Sequence, residues 1–362
     1  MRQSLGPLLR RAMVGVLALG VIGAPARAAA PPPPEAERLA FTERYRAVQH
    51  GGIVRAANTA ISCRTTATAS AGTPSCPAAR DGARAANDDF DMFYVDVDSD
   101  PNTYNSSRAE VRLPDGARVT YARLYWGGNL RVGEQKPPKD DGRVLIAEPG
   151  GEYKEVLADT VVGHRVAQGA DAFQASADVT KLVRESRSGL YTVAQVNVAM
   201  GRSTAGAWGG WTLVVAYENP SEPLRHLALW DGFDALGSAR ELRLSSAAVP
   251  KGASGLAGLV AYDGDRGQAG DSFAVATGPK ASTPLSDPAN PRGDALNSTI
   301  AEPGTTSAQR VPSYSNTLGY DSDVFDLGPA LRGGGDQLAV RLVSQRDAAW
   351  AGALFVAVDA QQ

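Results

Sequence analysis

Residues 209–233, GGWTLVVAYENPSEPLRHLALWDGF, carry the densest apolar pattern in the chain. Trp211 to Tyr217 is almost continuously apolar, β-branched or aromatic, which suits a strand covered on both faces. Asn219, Pro220 and Pro223 break the run and residues 224–230 resume it, so the pattern predicts a hairpin at the centre of an all-β core. Shorter runs at 52–56, 117–126, 144–147, 156–166, 190–199, 241–245, 255–262, 273–276, 338–344 and 351–358 predict further strands. Residues 88–98, DDFDMFYVDVD, alternate apolar side chains with carboxylates and predict a strand at the rim of a sheet. One helical turn is expected after Asp178, a polar N-cap, with Ser188 and Gly189 ending it.

About fourteen short strands with almost no helix predict an all-β, jelly-roll-like β-sandwich, either one enlarged unit or two fused lobes. The apolar final strands need partners from an existing sheet and no clean linker separates the halves, which favours one continuous unit. Residues 278–315, dominated by Pro, Ser, Asn and Gly, read as a long functional or mobile loop.

Composition supports a globular chain, with 43% hydrophobic and 21% charged residues among 362. The start departs from it. Arg2, Arg10 and Arg11 precede an apolar run at residues 12–24, and Ala26-Arg27-Ala28 is a small-x-small cleavage site, so residues 1–28 read as an export signal. The run is too short to span a bilayer, and no membrane insertion is expected after cleavage. The Arg pair fits either a general or a twin-arginine exporter. Residues 29–40 read as a Pro-rich disordered linker and 41–362 as the sandwich domain. Without the four arginines of the leader the formal charge falls from −3 to −7, a surface that repels nucleic acid. Export makes the two cysteines, Cys63 and Cys76, a disulfide closing a small surface loop.

Three acidic groups fall on expected loops: Asp96, Asp98 and Asp100; Asp263, Asp265 and Asp271; Asp321, Asp323 and Asp326. Calcium takes six to eight oxygens, and D-G-D-x-G spacing lets one turn present several, so Asp263, Asp265 and Asp271 are the best structural calcium ligands. Solvated turn carboxylates are the plainer alternative for each group. Among the aromatics, Trp211 and Trp230 read as core, whereas Trp126 and Trp208, beside Gly pairs at strand ends, read as surface platforms for a sugar, with Asp231 near them. His50, His164 and His226 stand apart from one another, Gly270-Asp271-Ser272 matches an esterase motif only by coincidence, and no nucleophile elbow occurs. Asn105 and Asn297 begin glycosylation sequons, but a bacterial-type leader argues against their modification.

Two resemblances add to these patterns. The strand, Asp178-Val-Thr turn, Gly, strand order resembles the closing segment of jelly-roll sugar-binding modules. The blocks NDDFDMFYVDVDSDPNTYNSS (87–107), ARLYWGG (122–128), the 209–233 stretch, YDGDRGQAGDS (262–272), NSTI (297–300) and NTLGYDSDVFDL (316–327) together resemble a family of secreted actinobacterial proteins of unknown function. Members often carry this β-rich region ahead of cell-surface repeat domains. The resemblance implies an extracellular or wall-associated β module and brings no reaction. The expectation is therefore a secreted, non-catalytic β-sandwich that binds a cell-wall polymer or glycan, or serves as a structural module. A glycoside hydrolase using paired carboxylates is the enzymatic alternative.

Overall fold

In a computed structural model, the described residues are 39–64, 72–236, 240–244, 248–278, 282–304, 308–346 and 348–361. The expected leader and all but the end of the expected linker lie outside them.

The fold turns on one strand, Leu39–Thr59, 21 residues long. Residues 39–50 pair with Leu224–Ala235, and residues 51–59 pair with Gly209–Glu218, both antiparallel. The strand changes partner at Gly51, whose φ of +135° suits glycine alone; a Cβ there would lie 2.1 Å from the Tyr217 carbonyl oxygen. The two apolar runs are therefore not paired with each other as a hairpin. Their five-residue connection also bonds the long strand: Asn219 N–H donates to His50 O and Gly51 N–H to Pro223 O. Apolar periodicity reports burial and is silent on which strand lies alongside.

Nine strands follow from this arrangement, in the order Tyr320–Asp326, Gly255–Tyr262, Trp350–Asp359, Leu224–Ala235, Leu39–Thr59, Gly209–Glu218, Arg118–Asn129, Ala170–Asp178 and Thr160–Ala167. The halves on either side of the long strand face each other, because Tyr125, Val214 and Ala216 from one half share a core with Leu227, Leu229, Val260 and Phe355 from the other. Each half has a second buried face. Trp126, Trp211, Leu213 and Val215 pack under a five-stranded sheet containing Ser106–Val111, Gly189–Ala194 and Arg143–Ala147. Trp230, Leu259 and Val356 pack under a four-stranded sheet containing Ser272–Thr277 and Leu338–Val343. The result is four β layers, an all-β sandwich architecture. It explains the unbroken apolar run at 211–217: odd residues enter one core and even residues the other.

Several elements differ from the sequence pattern. Residues 88–98 form a 3-10 turn at Asn87–Asp89 and a short strand, Met92–Tyr94, rather than one rim strand. Asp321, Asp323 and Asp326 lie on a strand, not a loop. Ser106–Val111 and Ala170–Asp178 are strands that the pattern did not reveal. The helix after Asp178 forms over Thr180–Ser186, but its N-cap is Val179; Asp178, the expected cap, stands one residue earlier and its carboxylate accepts from Thr180 N–H at 2.8 Å. Cys63 and Cys76 form the expected disulfide, Cα atoms 5.8 Å apart, tying Ile61–Cys63 to the short helix Cys76–Arg80.

Candidate functional site

At one end of the interface between the two inner half-sheets, distant stretches of chain meet. Aromatic rings form the base: Trp208 lies 5.8 Å from Tyr262, Tyr262 5.3 Å from Tyr320, and Phe233 stacks on Trp350 at 5.1 Å. Hydrogen bonds stitch the half-sheets there, Tyr262 Oη donating to Gln174 at 2.9 Å and Thr212 sharing a 2.7 Å bond with Tyr320. Above them the loops interlock. Asn87 Nδ2 donates to Asp263 at 2.9 Å, and Asn316 Nδ2 donates to Ala85 O at 3.1 Å. Ser298 Oγ donates to Gly264 O and accepts from Gly319 N–H, at 2.5 and 2.6 Å.

The acids of the 316–327 block serve this interlock. Asp321 Oδ1 accepts from Thr299 N–H at 3.1 Å, and Asp323 Oδ1 accepts from Thr299 Oγ1 at 3.1 Å and Ala301 N–H at 2.8 Å. Both are fully buried. They satisfy the backbone of the NSTI segment as it runs beside the edge strand, where Ser322 and Val324 N–H donate to Thr299 and Ala301 carbonyls. Burial pushes the Asp323 carboxyl up to about 7, against the pull of Arg55 and these hydrogen bonds. Asp326 instead accepts from Gly328 N–H at 3.0 Å, where a short helix starts.

A pocket of about 300 Å³ opens where the disulfide-anchored excursion meets the loop after Tyr262. Arg84, Asp88 and Asp89 line one side and Asp265, Arg266 and Gln268 the other, with the backbone of 72–74 at the rim. Its walls are tied in place. Arg84 donates to Gly267 O at 2.7 Å, Arg266 to Ser315 O at 2.6 Å, and Asp89 accepts from Thr73 Oγ1 and Ala86 N–H at 3.3 and 3.0 Å. Burial and the neighbouring Asp89 raise the Asp88 carboxyl, opposed by Arg202. Burial likewise lowers the Arg266 guanidinium against the pull of Asp321, Asp294 and Asp323.

The expected site residues fall differently from the sequence pattern. Asp263 turns to Asn87, Asp265 lines the pocket, and Asp271 is buried just ahead of Ser272–Thr277. Among the described residues, no three of His, Cys, Asp or Glu are grouped to hold a metal ion, so these carboxylates do not assemble the expected calcium set. Trp126 and Trp208, expected at the surface, are fully buried, their indole N–H groups donating to Asp141 O at 2.7 Å and Ala205 O at 3.3 Å. The glycines beside them mark tight packing: a Cβ on Gly128 or Gly209 would lie 2.2 or 2.4 Å from Val198 Cγ1.

Asp231 is enclosed between the inner half-sheets rather than facing a ligand. It accepts from Arg44 Nε and Nη2 at 2.8 and 3.0 Å and from Tyr125 Oη at 3.0 Å, with Arg123 Nε 3.5 Å away. These contacts tie Leu39–Thr59 and Arg118–Asn129 to Leu224–Ala235. Trp211 and Trp230 are core, as expected. Both sequon asparagines are buried too, Asn105 bonding Val196 and Asn297 bonding Ala289. Arg84, Asp88, Asp89, Arg266 and Gln268 were not singled out in the sequence. All but Arg84 lie inside the NDDFD and YDGDRGQ blocks, which is the signal that could have found them.

Fold and site together define a four-layer β-sandwich protein with a polar pocket built on interlocked, disulfide-anchored loops. Residues 91–255 match the model of a family described as a protein of unknown function, DUF3344. The matched residues contain Arg118–Asn129, Thr160–Ala167, Ala170–Asp178, Gly209–Glu218 and Leu224–Ala235, whereas Leu39–Thr59 lies outside them. No curated protein matches the chain in sequence. A chain in the atomic structure of Sulfolobus Turreted Icosahedral Virus aligns over 70% of this chain and 86% of that one, at 9% identity and a TM-score of 0.21, too distant to bear on fold or function.

Proposed function

We propose that the protein is an extracellular, non-catalytic β-sandwich module that binds a glycan or cell-wall polymer through the loop pocket. The pocket carries this reading: about 300 Å³ walled by carboxylates, guanidinium groups and an amide. Sugar hydroxyls both donate and accept, so a wall alternating acceptor carboxylates with donor Arg and Gln side chains can satisfy neighbouring hydroxyls in pairs. The volume suits a single sugar unit of a chain, at the small end of ligand pockets, which run from about 300 Å³. Extracellular placement rests on the export-type leader and the Cys63–Cys76 disulfide. No helix among the described residues is long and apolar enough to cross a membrane.

A second reading, a glycoside hydrolase, is favoured by the carboxylates Asp88, Asp89 and Asp265 sharing the pocket wall, since such enzymes work with a pair of them. One experiment separates the two: retention on immobilised polysaccharides and peptidoglycan, run beside nitrophenyl glycosides. Binding predicts retention on one polymer that falls tenfold or more in Asp265→Ala, without release of nitrophenol. Release abolished by Asp88→Asn supports the hydrolase, and neither retention nor release removes both.

A further inference from the structure

A second polar pocket, about 480 Å³, opens on the outer face of the five-stranded sheet. Cross-strand register places Arg108 beside Thr192, and Thr192 beside Ala147, so a long cationic side chain stands on a floor of small residues. Asp98 and Asp100 form one wall, and Glu152 and Tyr153 form the other. Tyr153 Oη donates to Asp98, closing the rim between the walls. The other Asp98 oxygen, Oδ1, accepts from Asp100 N–H at 2.8 Å and from Thr103 Oγ1 at 3.0 Å. Arg108 Nε is different: it is buried and has no hydrogen-bond partner, a costly state for a cationic donor.

We propose that this pocket binds a small zwitterion of the amino-acid or short-peptide class. The ligand's carboxylate takes the Arg108 guanidinium, and its ammonium lies against Asp100 and Glu152. Two features of the site require both charges. An anion alone would satisfy the Arg108 guanidinium but sit among three carboxylates, and a cation alone would meet the acids yet face the Arg108 charge. The site is separate from the loop pocket, so its test stands independently of the glycan reading.

Calorimetric titration with glycylglycine, N-acetylglycine and glycinamide, on the whole chain, tests this. Glycylglycine is expected to bind saturably, and the two singly charged probes at least tenfold more weakly. Arg108→Gln should weaken glycylglycine tenfold or more, and Glu152→Gln, on an exposed turn where folding is not at stake, several-fold. Absence of saturable heat with glycylglycine, equal affinity for N-acetylglycine, or unchanged affinity in Glu152→Gln would each overturn the proposal.

Discussion

Asn87 and Asp263, 176 positions apart, are joined by a buried 2.9 Å hydrogen bond from the amide to the carboxylate. The contact fixes the NDDFD and YDGDRGQ blocks against each other and so sets the width of the loop pocket. Gly206 and Gly319 make room for it: a Cβ at Gly206 would lie 1.3 Å from Asn87 Oδ1. Asn87→Ala should cost about 1–3 kcal/mol, because it removes a buried, charge-assisted hydrogen bond. Urea unfolding measures this, and a midpoint unchanged from wild type would show that the clamp is not structural.

The partner switch at Gly51 makes a sharper prediction. Gly51→Ala puts a methyl group against the Tyr217 carbonyl, in a backbone conformation that L residues avoid. The long strand could no longer serve both half-sheets without bending elsewhere. A loss of several kcal/mol, or failure to express in soluble form, is expected on the scale of exceptional single substitutions, above about 4 kcal/mol. A neutral effect would contradict the bend.

Asp323 predicts a pH dependence. Its folded-state carboxyl is raised to about 7 by burial, above its unfolded value, so the stability it contributes is present in full below about pH 4. That contribution fades as pH rises toward 7. Asp98 and Asp159 are lowered by hydrogen bonds, from Tyr153 and Arg123 respectively, that outweigh burial, so they act at lower pH, losing stability as pH falls below about 4. The raised Asp88 and Asp294 act in the same direction as Asp323. Melting temperature should therefore fall between pH 5 and 8, and Asp323→Asn, which keeps the acceptor oxygen, should flatten the fall. If the charge attraction of Arg55 dominates instead, stability will rise over that range and the Asn variant will be the weaker protein at pH 8.

The disulfide anchors one wall of the loop pocket. Replacing both Cys63 and Cys76 by Ala should cost about 2–4 kcal/mol. Hydrogen exchange should quicken at residues 84–89 before it does in the inner half-sheets, where protection comes from burial on both faces. Uniform loosening would mean that the excursion has no stability of its own.

Much of the scaffold was legible in the sequence because both faces of its inner strands are buried. Trp211 to Tyr217 and residues 351–358 announced themselves by apolar continuity. Ala170–Asp178 did not, since Ala, Ser, Gln and Asp are poor strand formers; it is held by pairing with Arg118–Asn129, and its small residues leave space for the aromatic layer. The site was less legible for a related reason. Glycines beside Trp126 and Trp208 suggested open strand ends, yet they permit close backbone approach, and the exposed chemistry lies in charged loops whose contacts are long-range. The Asp263, Asp265 and Asp271 spacing pointed to one turn, but Asp263 bonds Asn87, Asp265 lines the loop pocket and Asp271 is buried just ahead of Ser272–Thr277.

The most direct test of the central claim is the affinity of the loop pocket for the polysaccharide that retains the protein. Calorimetry on soluble fragments of that polymer should compare wild type with Gln268→Ala and Asp265→Ala, with melting curves as the folding control. A weakening of tenfold or more in both variants at unchanged melting temperature is the predicted result. Equal affinity in all three proteins would contradict it.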